Sequence, residues 1–198
     1  MLYPLRNLGL IALKLFMVMI FLVPEEKSLT VAVTPNSSLI IRGESNINRF
    51  QCSYDVSQFS DSFEISFTAD KTKLQFSNAQ LNLKNVFFNC GHKAINKDFH
   101  KLLKTHEYPS IKLELLSAEG APESSILNTK LNITISGVSK VYELPVEVDN
   151  TPKGVMVCGK LPIDINDFNL TPPKKLLGMI KVSNVIDIEF NLGVRTLP

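Results

Sequence analysis

The residues of this chain best able to do chemistry are three histidines, three cysteines and a scatter of carboxylates. His92, His100 and His106 stand 8 and 6 residues apart, which suits neither the i, i+4 pair of a zinc-binding helix nor the tight ligand clusters of other zinc sites. They are expected on the surface or on a helix face, and no metal is expected. No C-x-x-C, no G-x-S-x-G and no glycine-rich phosphate loop occurs, so redox, acyl-transfer and nucleotide chemistry lack their usual footing. Asp164, Asp167, Asp187 and Glu189 lie on or beside strands whose other face is apolar, and read as solvated outward positions. Tyr142, His92 and Asp167 are the residues an acid or base role would recruit, but the pattern offers no base with an orienting partner. The sequence therefore predicts no catalytic residue.

The cysteines bear on compartment instead. Arg6 precedes Leu8 to Val23, a mostly apolar run broken by Lys14 and bounded by Pro24, Glu25 and Glu26. A positive segment before a short apolar one is the layout of a secretory signal. No A-x-A-like site follows it, and it is shorter than the roughly 20 residues that cross a bilayer comfortably. Export is the favoured reading and an uncleaved N-terminal anchor the alternative, with residues 1–27 assigned to this segment and 28–198 to one folded domain. In an oxidising compartment two of Cys52, Cys90 and Cys158 can pair while one stays free. Cys52 with Cys90 is the favoured pair; three buried thiols acting as small apolar residues are the alternative, and spacing does not decide between them.

The elements that must position these groups are mostly strands. Of 198 residues, 44% are apolar, enough for a sizeable core, and the net charge of +2 is dispersed, so nucleic acid is not an expected partner. From Leu29 the dominant period is 2. Phe50, Cys52, Tyr54 and Val56 share one face; Phe63, Ile65 and Phe67 repeat the pattern, then Leu74 with Phe76 and Leu81 with Leu83. Ile111, Leu113 and Leu115 alternate with charged residues. Leu131, Ile133 and Ile135 lead through Gly137 and Ser139 into Tyr142, Leu144, Val146 and Val148, a predicted hairpin. Val155 to Ile165 and Val182 to Leu192 close the chain with the same alternation. One segment follows a helical period: Phe99, Leu102, Leu103 and His106, with Asn96 as the expected N-cap and Pro109 beyond the end. Asp167 to Leu177, with Pro172 and Pro173, reads as a loop or a short helix. These signals predict an all-β fold, a barrel or a sandwich.

The run INKDFHKLLKTHEYPSIKLELLSAE, starting at Ile95, resembles the signature of the YceI-like family of exported lipocalin-like proteins. RGESNINRFQCSYDV, KLNITISGVSKVYELPVEV, GKLPIDINDFNL and IKVSNVIDIEFNL resemble it too, in order, so that the likeness covers roughly Ser38 to Leu192. The resemblance implies an eight-stranded antiparallel lipocalin-like β-barrel with a short inserted α-helix. It further implies a long apolar cavity in which an isoprenoid, quinone or fatty chain lies, a periplasmic or otherwise exported location, and no cofactor beyond such a ligand. The implied partner is an amphiphilic small molecule or lipid; membrane association through the N-terminus and a homodimer are compatible with it. Register parity alone nominates Phe50, Tyr54, Phe63, Ile65, Phe67, Phe76, Leu113, Leu131, Ile133 and Leu144 as cavity-lining, and a slip of one residue would turn each outward. The chain departs from the family where many members carry an Arg before Asp167 and Phe168: here Ile165 and Asn166 precede them. It also lacks Trp. Headgroup identity is therefore not carried over. The stretch PPKKLLGMIKV resembles a variant subgroup with cysteines at the positions of Cys52 and Cys90. The rival expectation is a non-enzymatic barrel with a filled core that binds partners on its outside.

Overall fold

In a computed structural model, residues 25–59, 62–121, 123–172, 179 and 181–198 are described. The alternating segments form β1 (Glu26–Val33), β2 (Ser38–Glu44), β3 (Arg49–Tyr54), β4 (Phe63–Asp70), β5 (Lys73–Asn78), β6 (Gln80–Lys84) and β7 (Phe88–Asn89). A helix α1 (Lys93–Leu102) follows, then β8 (Ser110–Glu119), β9 (Ile126–Ile135), β10 (Val138–Thr151), β11 (Gly154–Asp164) and β12 (Val185–Thr196). The apolar segment before Pro24 lies outside the described residues, and β1 takes the last two residues, Glu26 and Lys27, of the segment drawn as 1–27.

Strands β1-β4-β5-β8-β9-β10-β11-β12 make a ring of antiparallel neighbours, closed where β12 returns to β1 at Val33↔Val194. The remaining strands prolong this ring rather than add to it. β2 runs on from β1 beside β12, β3 lies against β2 in line with β4, and β6 runs on from β5 beside β8. The fold is thus an antiparallel barrel with eight strand positions, closed so that its lower half has no free edge. The chain breaks its long strands at identifiable points. One is the 3-10 turn Val56–Gln58, where the Asp55 carboxylate accepts from Ser57 N at 3.1 Å.

In the upper half β3 and β6 do not pair, and β7 and α1 fill the gap between them. β7 pairs with the end of β3 at Tyr54↔Phe88, and Asp55 N donates to Phe87 O at 2.9 Å. A disulfide joins Cys52 on β3 to Cys90, which follows β7, leaving Cys158 as the free thiol. Past α1, the buried Asn85 side chain donates to Tyr108 O at 2.8 Å and to Thr105 Oγ1 at 3.2 Å, and Ser136 Oγ donates to Leu103 O at 2.8 Å. The side chains of Asn85 and Ser136 thus fasten the segment that follows α1 to the barrel.

Three boundaries differ from the sequence-based expectation. The helix starts at Lys93 instead of after Asn96, because His92 is its extended N-cap. The Asn96 side chain, freed from capping, accepts from Cys90 N at 2.6 Å and ties the first turn to β7. It ends well before His106, since Lys104 takes a left-handed φ of 49°. The β9–β10 turn uses Ser136 and Gly137, at φ 48° and 80°, the double positive φ of a tight hairpin. Ser139 already belongs to β10 and meets Thr134 across the pair, hydroxyl to hydroxyl at 2.7 Å.

Candidate functional site: an apolar cavity beneath the helix

The inner faces of the upper half do not fill it. They leave a cavity of about 320 Å³, within the range of small-molecule sites though at its lower end. β2 gives it Leu39 and Ile41, β3 gives Phe50 and Cys52, β8 gives Ile111 and Leu113, and β9 gives Ile133 and Ile135. α1 roofs it with the apolar stripe Ile95, Phe99 and Leu102, one turn apart as a helix requires. Ile186 and Ile188 of β12, with Ile165 and Leu170, complete the wall. Four lining residues are polar: Ser45 and Asn48 on the β2–β3 turn, Asp98 on α1, and Ser183 on the approach to β12. A wall of this composition rewards hydrocarbon and leaves a buried polar group unpaired, so only the end near those four residues suits a polar atom.

The rim is built by hydrogen bonds between distant segments. Asn46 accepts from Lys181 N at 2.9 Å through Oδ1, donates to Met179 O at 3.0 Å through Nδ2, and its own N–H reaches Lys181 O at 3.0 Å. Ser45 and Val182 form a bridge there. Between that bridge and the pair Arg42↔Asp187, β2 advances three residues while the β12 side advances five, so two residues bulge from the wall. Gly43 stands at this breach, and the Phe50 ring packs on the space where a Cβ would be. Outside it lies a polar groove of about 590 Å³ bordered by Arg42, Arg49, Gln51 and Asp187, which shares Phe50 and Ser183 with the cavity. Arg42 is held there by Glu189 at 2.8 Å and Gln51 at 2.6 Å.

Of the nominated residues, Phe50, Leu113 and Ile133 stand in the cavity wall. Tyr54 is buried beside it, stacked on Phe59 with ring centres 4.9 Å apart and set edgewise to Phe88 at 4.9 Å. Leu131 and Leu144 belong to the core next to the cavity. Phe63, Ile65, Phe67 and Phe76 sit on β4 and β5 in the other half of the barrel, where Phe67 and Phe76 pair across the strands at 5.8 Å. The 3-10 turn between β3 and β4 separates the two groups. The α1 stripe and the β2 pair Leu39 and Ile41 were not nominated, although their spacing in the sequence is that of a buried face.

Tyr142, Asp167 and His92 do not line the cavity. Tyr142 donates to Asp167 at 3.0 Å and stacks on Phe168. Burial first, and then this bond to a carboxylate, push the Tyr142 phenol well above the usual tyrosine range. A phenol so held keeps its proton at neutral pH and is no base. Among the described residues no group of three or more His, Cys, Asp or Glu side chains converges to hold a metal.

The sequence pattern of the YceI-like domain family matches residues 26–194. Two solved structures are similar in fold. One is BcnA of Burkholderia cenocepacia, 18% identical, with a TM-score of 0.61 over 81% of this chain and 96% of the other. The second is a polyisoprenoid binding domain from Saccharophagus degradans implicated in plant cell wall breakdown, 15% identical, with a TM-score of 0.62 over 85% of this chain and 99% of the other. No curated protein matches the chain in sequence.

Proposed function

We propose, from the premise that this chain belongs to the YceI-like family, that it is an exported carrier that holds the hydrocarbon chain of an amphiphile in the cavity beneath α1. The observation that carries this reading is the near-continuous apolar wall, interrupted only by Ser45, Asn48, Asp98 and Ser183. An isoprenoid, a quinone tail or a fatty chain fits that chemistry, with its head left near these polar groups. Volume limits how much is held. A methylene takes about the share of a water molecule, roughly 30 Å³, so the cavity admits on the order of ten of them. At about 0.8 kcal/mol for each buried CH₂ the gross gain is about 8 kcal/mol, a micromolar affinity before the costs of ordering are subtracted. A longer polyisoprenoid would place about two of its five-carbon units inside and the rest elsewhere.

The fold likeness to a polyisoprenoid binding domain supports the same class of ligand. Catalysis is no part of this reading, since the cavity wall holds a single ionisable side chain, Asp98, apart from the cysteine tied up in the disulfide. The test is native mass spectrometry with organic extraction of protein recovered from its exported fraction. A stoichiometric co-purifying species with a long alkyl or isoprenyl chain is expected. A clean apo mass that persists after incubation with a lipid extract would refute the carrier and favour a barrel that works through its outer surface.

A further inference from the structure

The rim around the cavity leaves two large apolar side chains in water. Ile47, at the tip of the β2–β3 hairpin, is 67% exposed, and Met179 is 68% exposed. Exposed apolar residues are ordinary when single. These two are held on one rim by the three Asn46 hydrogen bonds to Met179 and Lys181, and Ile47 also lines the cavity. The charges about them have one prevailing sign. α1 turns its apolar stripe inward and exposes Lys93, Lys97 and Lys101, with Lys104 just past its end; Arg49 and Lys181 flank the hairpin. Against these six cations stand three carboxylates: Glu44, which contacts Arg49 at 3.7 Å, the half-buried Asp98, and Glu107 in the turn after Lys104. The rim therefore carries +3 in a chain of net +2, leaving −1 for all the rest.

We propose that this rim is a docking face for an anionic lipid bilayer, with Ile47 and Met179 entering the headgroup layer and the lysine ridge of α1 lying on the phosphates. Apolar tips set among cations are the combination that binds the surface of such a membrane. Docking would bring the cavity opening against the lipid, so that a chain could pass between bilayer and barrel without crossing water. The purpose of the docking rests on the carrier reading; the binding itself does not.

The experiment is flotation of the full folded protein with vesicles of equal parts phosphatidylglycerol and phosphatidylcholine, against vesicles of phosphatidylcholine alone. Uptake of a fluorescent fatty acid is measured in parallel without vesicles. The wild type should float with the anionic vesicles, be released by salt, and bind the neutral ones far more weakly. Each of Lys93→Gln, Lys97→Gln and Lys101→Gln should weaken partitioning about fivefold, and Met179→Asp, at a side chain that is exposed and outside the cavity wall, should weaken it further while fatty-acid uptake and melting temperature stay as in the wild type. Equal binding to both vesicles, or none by protein that still takes up the fatty acid, would overturn the docking. So would a Met179-dependent homodimer that fails to float. Loss of fatty-acid uptake with flotation intact would instead strike the carrier reading and leave the docking standing.

Discussion

If about 320 Å³ of apolar space sets the binding, affinity for straight-chain carboxylates should depend on length in two regimes. Each added methylene that finds room contributes about 0.8 kcal/mol, close to a fourfold gain in affinity. The space is exhausted at on the order of ten carbons, and the curve should flatten there because further methylenes stay in water or at the rim. Displacement of a fluorescent fatty-acid probe by a homologous series, each member kept below its micelle concentration, measures the slope and the break. A variant that enlarges the cavity, Leu113→Ala, should move the break to longer chains. Affinity that is flat across the short members would refute the reasoning, because it would mean the chain is not buried. A slope that runs on undiminished far beyond ten carbons would refute it differently, by showing that the chain threads past Leu131 and Leu144 into the lower half.

Other outcomes follow from the same geometry. The Cys52–Cys90 bond closes a loop with a separation of 38 residues, and in the loop-entropy view its loss costs about 4 kcal/mol. Reductant should then lower the melting temperature by roughly 8–16 °C and raise hydrogen exchange in α1 before the strands; no shift with reductant would refute the tie. On Gly159→Ala the new methyl meets the Phe190 ring, which lies over the glycine, and displacement of that ring should cost about 1–3 kcal/mol in urea unfolding. In an alkaline absorbance titration Tyr142 should be the last tyrosine to ionise, and Tyr142→Phe should remove that step. Its folded pKa lies above the unfolded value of 10.0, so its contribution to stability is complete below that pH and fades as pH rises beyond it.

Much of the barrel was legible as period 2. The strands containing Phe50, Phe63, Ile111, Ile133 and Leu144 stand where alternation put them, because a half-buried strand has little choice of face. The hairpin about Gly137 was legible for the same reason, since only a turn with two positive φ values joins such strands so tightly. What alternation could not convey is height along the barrel. Phe67 has the same parity as Phe50, yet the break at Val56–Gln58 sends β4 to the other half. Nor does a one-dimensional pattern tell that β3 and β6 fail to pair, and that omission is what lets α1 roof the cavity. The helix face was visible in Phe99 and Leu102, but its start was misplaced because Asn96, a good cap by type, is occupied by Cys90 N.

The pairing Glu26↔Thr68 sets the first strand's entry beside the β4–β5 turn, at the end of the barrel away from Ile47. From Glu26 to Glu44, with the turn between Thr34 and Ser37 adding little, the chain climbs about 53 Å of strand, or about 40 Å of height once the tilt of barrel strands is allowed for. The described chain therefore enters at the foot of a cup, and the brim that carries Ile47 lies at its far end. A barrel tethered at its foot would point that brim away from the surface that holds it, so docking by the brim onto the same surface requires a barrel free to turn over.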